Sequence, residues 1–340
     1  ECALSGELKL PTITTHIGEL AFDYNQITKA VLPDSLKTIG SEAFRGCQLL
    51  QEVVFPEKLT TIGQYAFYDC IRLHTGTLKS KTPPEIFNQT FNYTKTFYVP
   101  EGSGDVYSKS PNWSNLIVIN GSTPRKATVT LTAAGTLGEE ILKQVDYVTD
   151  VNELVINGPL NDDDFYQIKQ RTTHLISIDM TGATIESLPE SFFYERAALL
   201  DIKLPATLKS IGRYAFYRCY GLTQITIPEG ATSIKDHSFE QCLSLKEIKL
   251  PTSLTEIQEY AFQDCKSLEN IEFPANVTNI SPGTFYNCTA LQRVKFPANL
   301  NNISHYAFYQ CSVLEKANLS EGLINIDYNA FYQCTALKEV

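Results

Sequence analysis

The apolar positions of Cys242–Asp264, "CLSLKEIKLPTSLTEIQEYAFQD", write the pattern C-x-x-L-x-x-I-x-L-P-x-x-L-x-x-I-x-x-x-A-F-x-x. The two stretches that follow, "CKSLENIEFPANVTNISPGTFYN" and "CTALQRVKFPANLNNISHYAFYQ", keep it in register. The short alternation at the end of L-x-x-I-x-L predicts a strand, and Pro251 and its equivalents end it. The segment L-x-x-I-x-x-x-A-F then turns the chain back, with Leu, Ile and Phe pointing inward. One copy cannot bury its apolar face alone. Stacked copies share a continuous core, with parallel strands about 4.8 Å apart.

The cysteines mark the period. They stand at Cys2, Cys47, Cys70, Cys219, Cys242, Cys265, Cys288, Cys311 and Cys334, and the last six are each 23 residues apart, as are Cys47 and Cys70. Cys2 to Cys47 is 45 residues, two periods less one, because the unit containing "AFDYNQITKAVLP" is one residue short. The expected fold is an α/β repeat: a leucine-rich-repeat solenoid. Parallel strands line its concave face, and turns or short helical pieces form its outer face.

The unit "LPxxLxxIxxxAFxxCxxLxxI" is similar to the BspA-like, or Treponema-type, leucine-rich repeat family. The resemblance covers Cys2–Arg72 and 187–340. It implies five parts: a first array over 1–82, a closing cap over 83–120, a linker over 121–126, an opening cap over 127–186 and a second array over 187–340. The Pro-Pro, Tyr-Val-Pro and Pro-x-Trp elements of 83–120 look like the family's closing cap. In the opening cap, "ATVTLTAAGTLGEEIL" reads as a strand and then a helix, and Asn161 and Asp162 are N-cap residues for a helix over Phe165–Arg171. The first array begins mid-unit and the second ends mid-unit, so the chain is expected either to be part of a longer protein or to have disordered ends.

Apolar residues make up 43% and charged residues 19%, an ordinary globular balance, and the formal charge is −10. That balance argues against nucleic acid as a partner, which needs clustered Lys and Arg. No apolar run is long enough to span a membrane, and the N-terminus shows no signal peptide. No nucleophile-elbow, zincin, P-loop or dinucleotide-binding motif occurs. His16, His74, His174, His237 and His305 stand alone, and His237 and His305, near tyrosines at variable repeat positions, read as solvated surface rather than metal ligands. "NDDD" (Asn161–Asp164) lacks the Gly and terminal Glu of a calcium loop, so helix capping explains it better. Neither a cofactor nor a catalytic or metal site is expected.

A position that takes cysteine in nearly every unit reads as a core ladder of reduced thiols. Stacking would hold neighbouring Cα atoms about 5 Å apart, so bridging is not excluded by distance. Arg196 takes this position in the first unit of the second array, where one side faces the cap.

Two surfaces are candidates for binding. The concave strand face carries Lys203, Thr226, Glu247, Lys249, Glu272, Arg293, Lys295 and Lys316, a mixed polar sheet suited to protein recognition. Rows of tyrosine flank the Ala-Phe: Tyr214, Tyr260 and Tyr306 before it, and Tyr217, Tyr286, Tyr309 and Tyr332 after it. Packed between rungs they are structural; as an open strip they would suit a glycan or protein. The family resemblance implies a non-enzymatic adhesion protein, anchored at the outer membrane or secreted, that binds host or bacterial surface proteins. The alternative is a glycan-binding module of a carbohydrate-uptake system using the tyrosine rows.

Overall fold

A computed structural model describes residues 4–94, 96–121 and 125–338; Cys2 and positions 122–124 of the linker lie outside them. The chain forms two compact units, Glu1–Pro124 and Arg125–Val340, each around its own hydrophobic core.

Both units are wound as parallel-strand coils. In the first, Ser5–Lys9, Gln26–Val31, Glu52–Phe55, Thr75–Leu78, Thr96–Val99 and Ile117–Asn120 form a six-stranded sheet in chain order. The two-residue strands His16–Ile17, Thr38–Ile39, Thr61–Ile62 and Glu85–Ile86 form a second sheet. The second unit repeats the plan. Its register is the sequence period: Gln224 lies beside Glu247, and Asn270 beside Arg293 and then Lys316. Each three-residue strand buries its middle residue and exposes its flanks. The short unit of the first array is accommodated by a register shift between Gly6 and Glu7, where Gly6 adopts φ +83°. Asn25 stands at the cysteine position there, and its side-chain oxygen accepts the Leu4 N–H at 2.6 Å.

Among the described residues of the repeats the outer face contains turns and the two-residue strands, and no helix. The reason lies in the backbone. Two residues per coil are left-handed: one five places before the cysteine (Tyr214, His237, Tyr260, Tyr306) and one immediately before it (Arg218, Gln241, Asp264, Asn287, Gln310). This turns alternate N–H groups along the solenoid axis. Tyr214, Phe216 and Arg218 donate to the next coil's Asp236, Ser238 and Glu240 carbonyls, whereas Tyr217 and Cys219 close local turns. A helix would direct those donors within its own coil. The Ala-Phe phenylalanines form a spine: Phe193, Phe216, Phe239, Phe262, Phe285, Phe308 and Phe331 stack with centroids 4.9–5.4 Å apart.

Helix lies outside the repeats. In the first unit α1 (Gly104–Ser108) buries its Tyr107, whose ring meets Trp113 edge-on at 5.0 Å and whose hydroxyl donates to the Ser80 carbonyl at 2.8 Å. In the second unit α2 (Leu137–Leu142) and α3 (Asp162–Tyr166) precede the repeats, and a π-turn over Gln167–Arg171 continues α3. Asn161 caps α3: its side chain accepts from Asp163 and Asp164 N–H, and Asp164 returns a bond to Asn161 N–H. The buried Asp164 carboxylate also accepts from Gly135 and Leu137 N–H at 2.7 and 2.9 Å, which ties α3 to the start of α2. "NDDD" therefore caps a helix.

Candidate functional site

The conserved-looking cysteine position is filled for packing. All eight described cysteines are unpaired, and seven are buried. Each Sγ donates to the carbonyl of the Ala-Phe phenylalanine one coil back, at 3.1–3.2 Å; Cys219 to Phe193 and Cys242 to Phe216 are two such rungs. Burial raises every one of these thiols, Cys47 and Cys334 to about 11 and Cys265 well above its ordinary range. A thiol held neutral is a poor nucleophile and a poor metal ligand. Arg196 uses the same position differently. Its guanidinium donates to the Ile168, Lys169 and Thr172 carbonyls, at 2.7–2.9 Å, at the end of the π-turn. These are carbonyls a helix end leaves without partners.

The tyrosines stack rung on rung. After the Ala-Phe, Tyr286, Tyr309 and Tyr332 lie 4.6 and 5.0 Å apart, nearly parallel. Tyr217 stacks on Tyr194 at 4.8 Å, and Glu240 and Gln263 interrupt the row between Tyr217 and Tyr286. Before the Ala-Phe, His237 lies between Tyr214 and Tyr260, 4.8 and 5.3 Å from them. The free face of Tyr214 receives Arg213 at 4.8 Å. Tyr260 leans over Gly283, where any Cβ would lie 2.1 Å from its ring. Tyr306 meets Tyr286, Tyr309 and Tyr328 edge-on. Most of these rings thus have a face engaged by a neighbour, Tyr309 on both sides, while Tyr286 and Tyr332 end the row. Two histidines belong to these stacks rather than to open surface, which corrects the solvated reading. His237 Nδ1 lies 2.6 Å from Glu240 Oε2, and His305 stacks on Tyr328 beside Asp327. Burial of the Glu240 carboxyl raises it, and His237 offsets part of that. Among the described residues no group of His, Cys, Asp and Glu forms a metal cluster.

The strand face of the second unit places its side chains as rows. Lys203, Thr226, Glu247, Lys249, Glu272, Arg293, Lys295 and Lys316 are all exposed. The later strands of this face enclose a trough of about 1080 Å³, lined by Glu247, Lys249, Glu272, Arg293, Lys295 and Lys316 among others. Charges of both signs lie on this face and some pair: Lys203 with Asp179 at 3.0 Å and Lys295 with Glu272 between neighbouring strands, and Lys249 with Glu247 at 3.7 Å within one strand. Along the first position of the strands the side chains run Asp201, Gln224, Glu247, Asn270, Arg293, Lys316, from acidic to basic.

Period alone did not show the left-handed pairs or the stacking of ring on ring. A signal for the first was present. Gly46, Asp69, Asp264 and Asn287 precede cysteines, and these residue types tolerate positive φ.

Comparison with known proteins gives a consistent picture. A family model described as "BspA type Leucine rich repeat region" matches in six copies, over residues 7–110, 165–281 and 209–338. A leucine-rich repeat protein of T. pallidum is 30% identical, with a TM-score of 0.46, over 48% of this chain and 78% of its own. A leucine-rich repeat protein of Bacteroides ovatus is 22% identical (TM-score 0.34; 98% and 84%). A leucine-rich cell surface protein of Faecalibacterium prausnitzii is 18% identical (TM-score 0.35; 99% and 87%). No curated protein matches the chain.

Proposed function

This chain belongs to the BspA-type leucine-rich repeat family, and on that premise we propose that it is a non-enzymatic surface or secreted protein that holds a protein partner on the strand face of its second unit. Leucine-rich repeat proteins are generally binding scaffolds, and no catalytic family is indicated for this chain. The observation that carries the reading is the trough. It is wide, its floor is a hydrogen-bonded sheet, and its rows present charges of both signs that an extended polypeptide can match one by one. Partners on host or bacterial surfaces fit the family, and anchoring at the outer membrane or secretion would place the trough outside the cell.

The segments around the repeats fit the role of caps. Phe97 covers Phe91 of the last coil at 4.7 Å, Trp113 packs on Phe97, and Trp113 Nε1 donates to the Pro84 carbonyl at 2.8 Å. The carbonyl bonds of Arg196 fasten the first coil of the second unit to what precedes it in the same way.

A glycan module on the tyrosine rows has less support, because sugar rings need open aromatic faces and most of these rings stack on one another or on His237. The test is to immobilise the chain and measure binding to a panel of extracellular-matrix and bacterial surface proteins. The double variant Arg293→Glu/Lys295→Glu should slow association and weaken a protein hit at least about tenfold, and added salt should weaken the wild-type complex. A protein hit that the double variant binds equally well would disprove the strand-face site.

A further inference from the structure

The last coil of the first unit departs from the repeat at the two tyrosine positions. The coil before it carries Tyr65 and Tyr68 around its Ala-Phe; this one reads "NQTFN" (Asn88–Asn92), with Gln89 and Asn92 in those places. The two coils are aligned by the bridge between Phe67 and Phe91. Tyr68 is therefore followed along the axis by an amide instead of a ring. Among the described residues its only ring contact is the edge-on one with Tyr65 at 5.4 Å. At this place lies a pocket of about 210 Å³, walled by Tyr68, Phe87 and the carboxamides Asn88, Gln89, Asn92, Asn112 and Asn115.

Its chemistry is unusual for this protein. Among the described residues no charged side chain lines it, although the chain carries a net charge of −10. Asn112 comes from the segment after α1 and enters on left-handed backbone, φ 63°. Its Nδ2 donates to the Ile86 carbonyl at 2.7 Å, which fixes that amide and leaves its oxygen as an acceptor. Asn88, Gln89, Asn92 and Asn115 make no side-chain hydrogen bond with the described residues. Phe87 is 40% exposed. A carboxamide both donates and accepts, so several of them match adjacent hydroxyl groups without bringing charge. The half-buried Tyr68 and the exposed Phe87 supply apolar ring surface beside them. The volume lies below the roughly 300–1,000 Å³ of sites for drug-sized ligands, so it suits one small ring.

We propose that this pocket binds a single uncharged pyranose, as a free sugar or as one residue of a glycan. Amides hold its hydroxyls, and Tyr68 or Phe87 takes its C–H face. The site is in the other unit from the trough and does not rest on the protein-partner reading.

The test is saturation-transfer NMR on the whole chain with the methyl glycosides of glucose, galactose, mannose and N-acetylglucosamine, and N-acetylneuraminic acid as the charged control. At least one neutral glycoside should show transfer at millimolar concentration, the acid should not, and the signal should be insensitive to salt. Tyr68→Ala and the double variant Asn88→Ala/Asn115→Ala should each weaken it about tenfold. Asn88 and Asn115 are exposed, so the double variant should melt like the wild type, which separates lost binding from lost fold. Tyr309→Ala should leave binding intact. Absence of transfer from every neutral glycoside would overturn the proposal, and so would binding that survives the double amide variant.

Discussion

Cys265 donates its thiol to the Phe239 carbonyl of the coil before it, and burial raises its pKa well above that of a free thiol. The consequence can be measured. At pH 8 the native chain should react slowly with a disulfide reagent, because a shift from 9.0 to about 11, as at Cys47, leaves roughly a hundredfold less thiolate. In denaturant all its cysteines should react at once. Fast reaction of the native thiols would contradict the ladder. The sign for stability follows from the same shift. The folded pKa lies above the unfolded one, so the contribution is complete below about pH 9 and is lost as pH rises through 11. Melting temperature should therefore fall on the alkaline side of 9. Arg196 shows how one residue changes the function of a position. Arg196→Ala would remove the guanidinium from the partly buried Ile168 and Thr172 carbonyls and the exposed Lys169 carbonyl, and should lower the stability of the second unit by about 1–3 kcal/mol. Arg196→Cys should not restore it, since a thiol cannot reach three carbonyls. Chemical denaturation of the variants decides both.

Turns, more than strands, set the outer face of this solenoid. Residues such as Gln310 are held at φ 60° because their N–H must reach the next coil, here the Tyr332 carbonyl at 2.8 Å. A left-handed residue other than glycine carries strain of about 1 kcal/mol. Gln310→Gly should therefore be at least as stable as the wild type, and Gln310→Val less stable by more than about 1 kcal/mol. Equal stability of the two variants in urea melts would show that the turn is not left-handed. At the same scale the flanking helix was legible from Asn161, which caps it, but it starts at Asp162 rather than Phe165 and passes into a π-turn over Gln167–Arg171. The reach of Asp164 to Gly135 and Leu137 was not legible, because it joins residues 29 and 27 places apart.

The two units have separate cores, one running from Ile17 to Trp113 and the other from Ala127 to Ala330. Calorimetry should resolve two transitions. Phe262→Ala, in the middle of the second spine, should lower only one of them, by about 3–5 kcal/mol. A single transition shifted as a whole would show that the cores unfold together. The strand-face residues from Lys203 to Lys316 were legible as a row because a strand alternates its faces and identical units stack in register; a spacing of 23 in sequence becomes one rung in space. The sequence by itself determined that much: the period, the inward Ile, Leu and Phe, the cysteine ladder and the family. The tertiary structure alone decided whether tyrosine faces are open or covered, which carbonyls Arg196 meets, and where five amides gather around Tyr68. A period says which residues are neighbours on successive rungs. It does not say which way a side chain turns between them, and that direction is set by left-handed backbone and by close contacts across rungs.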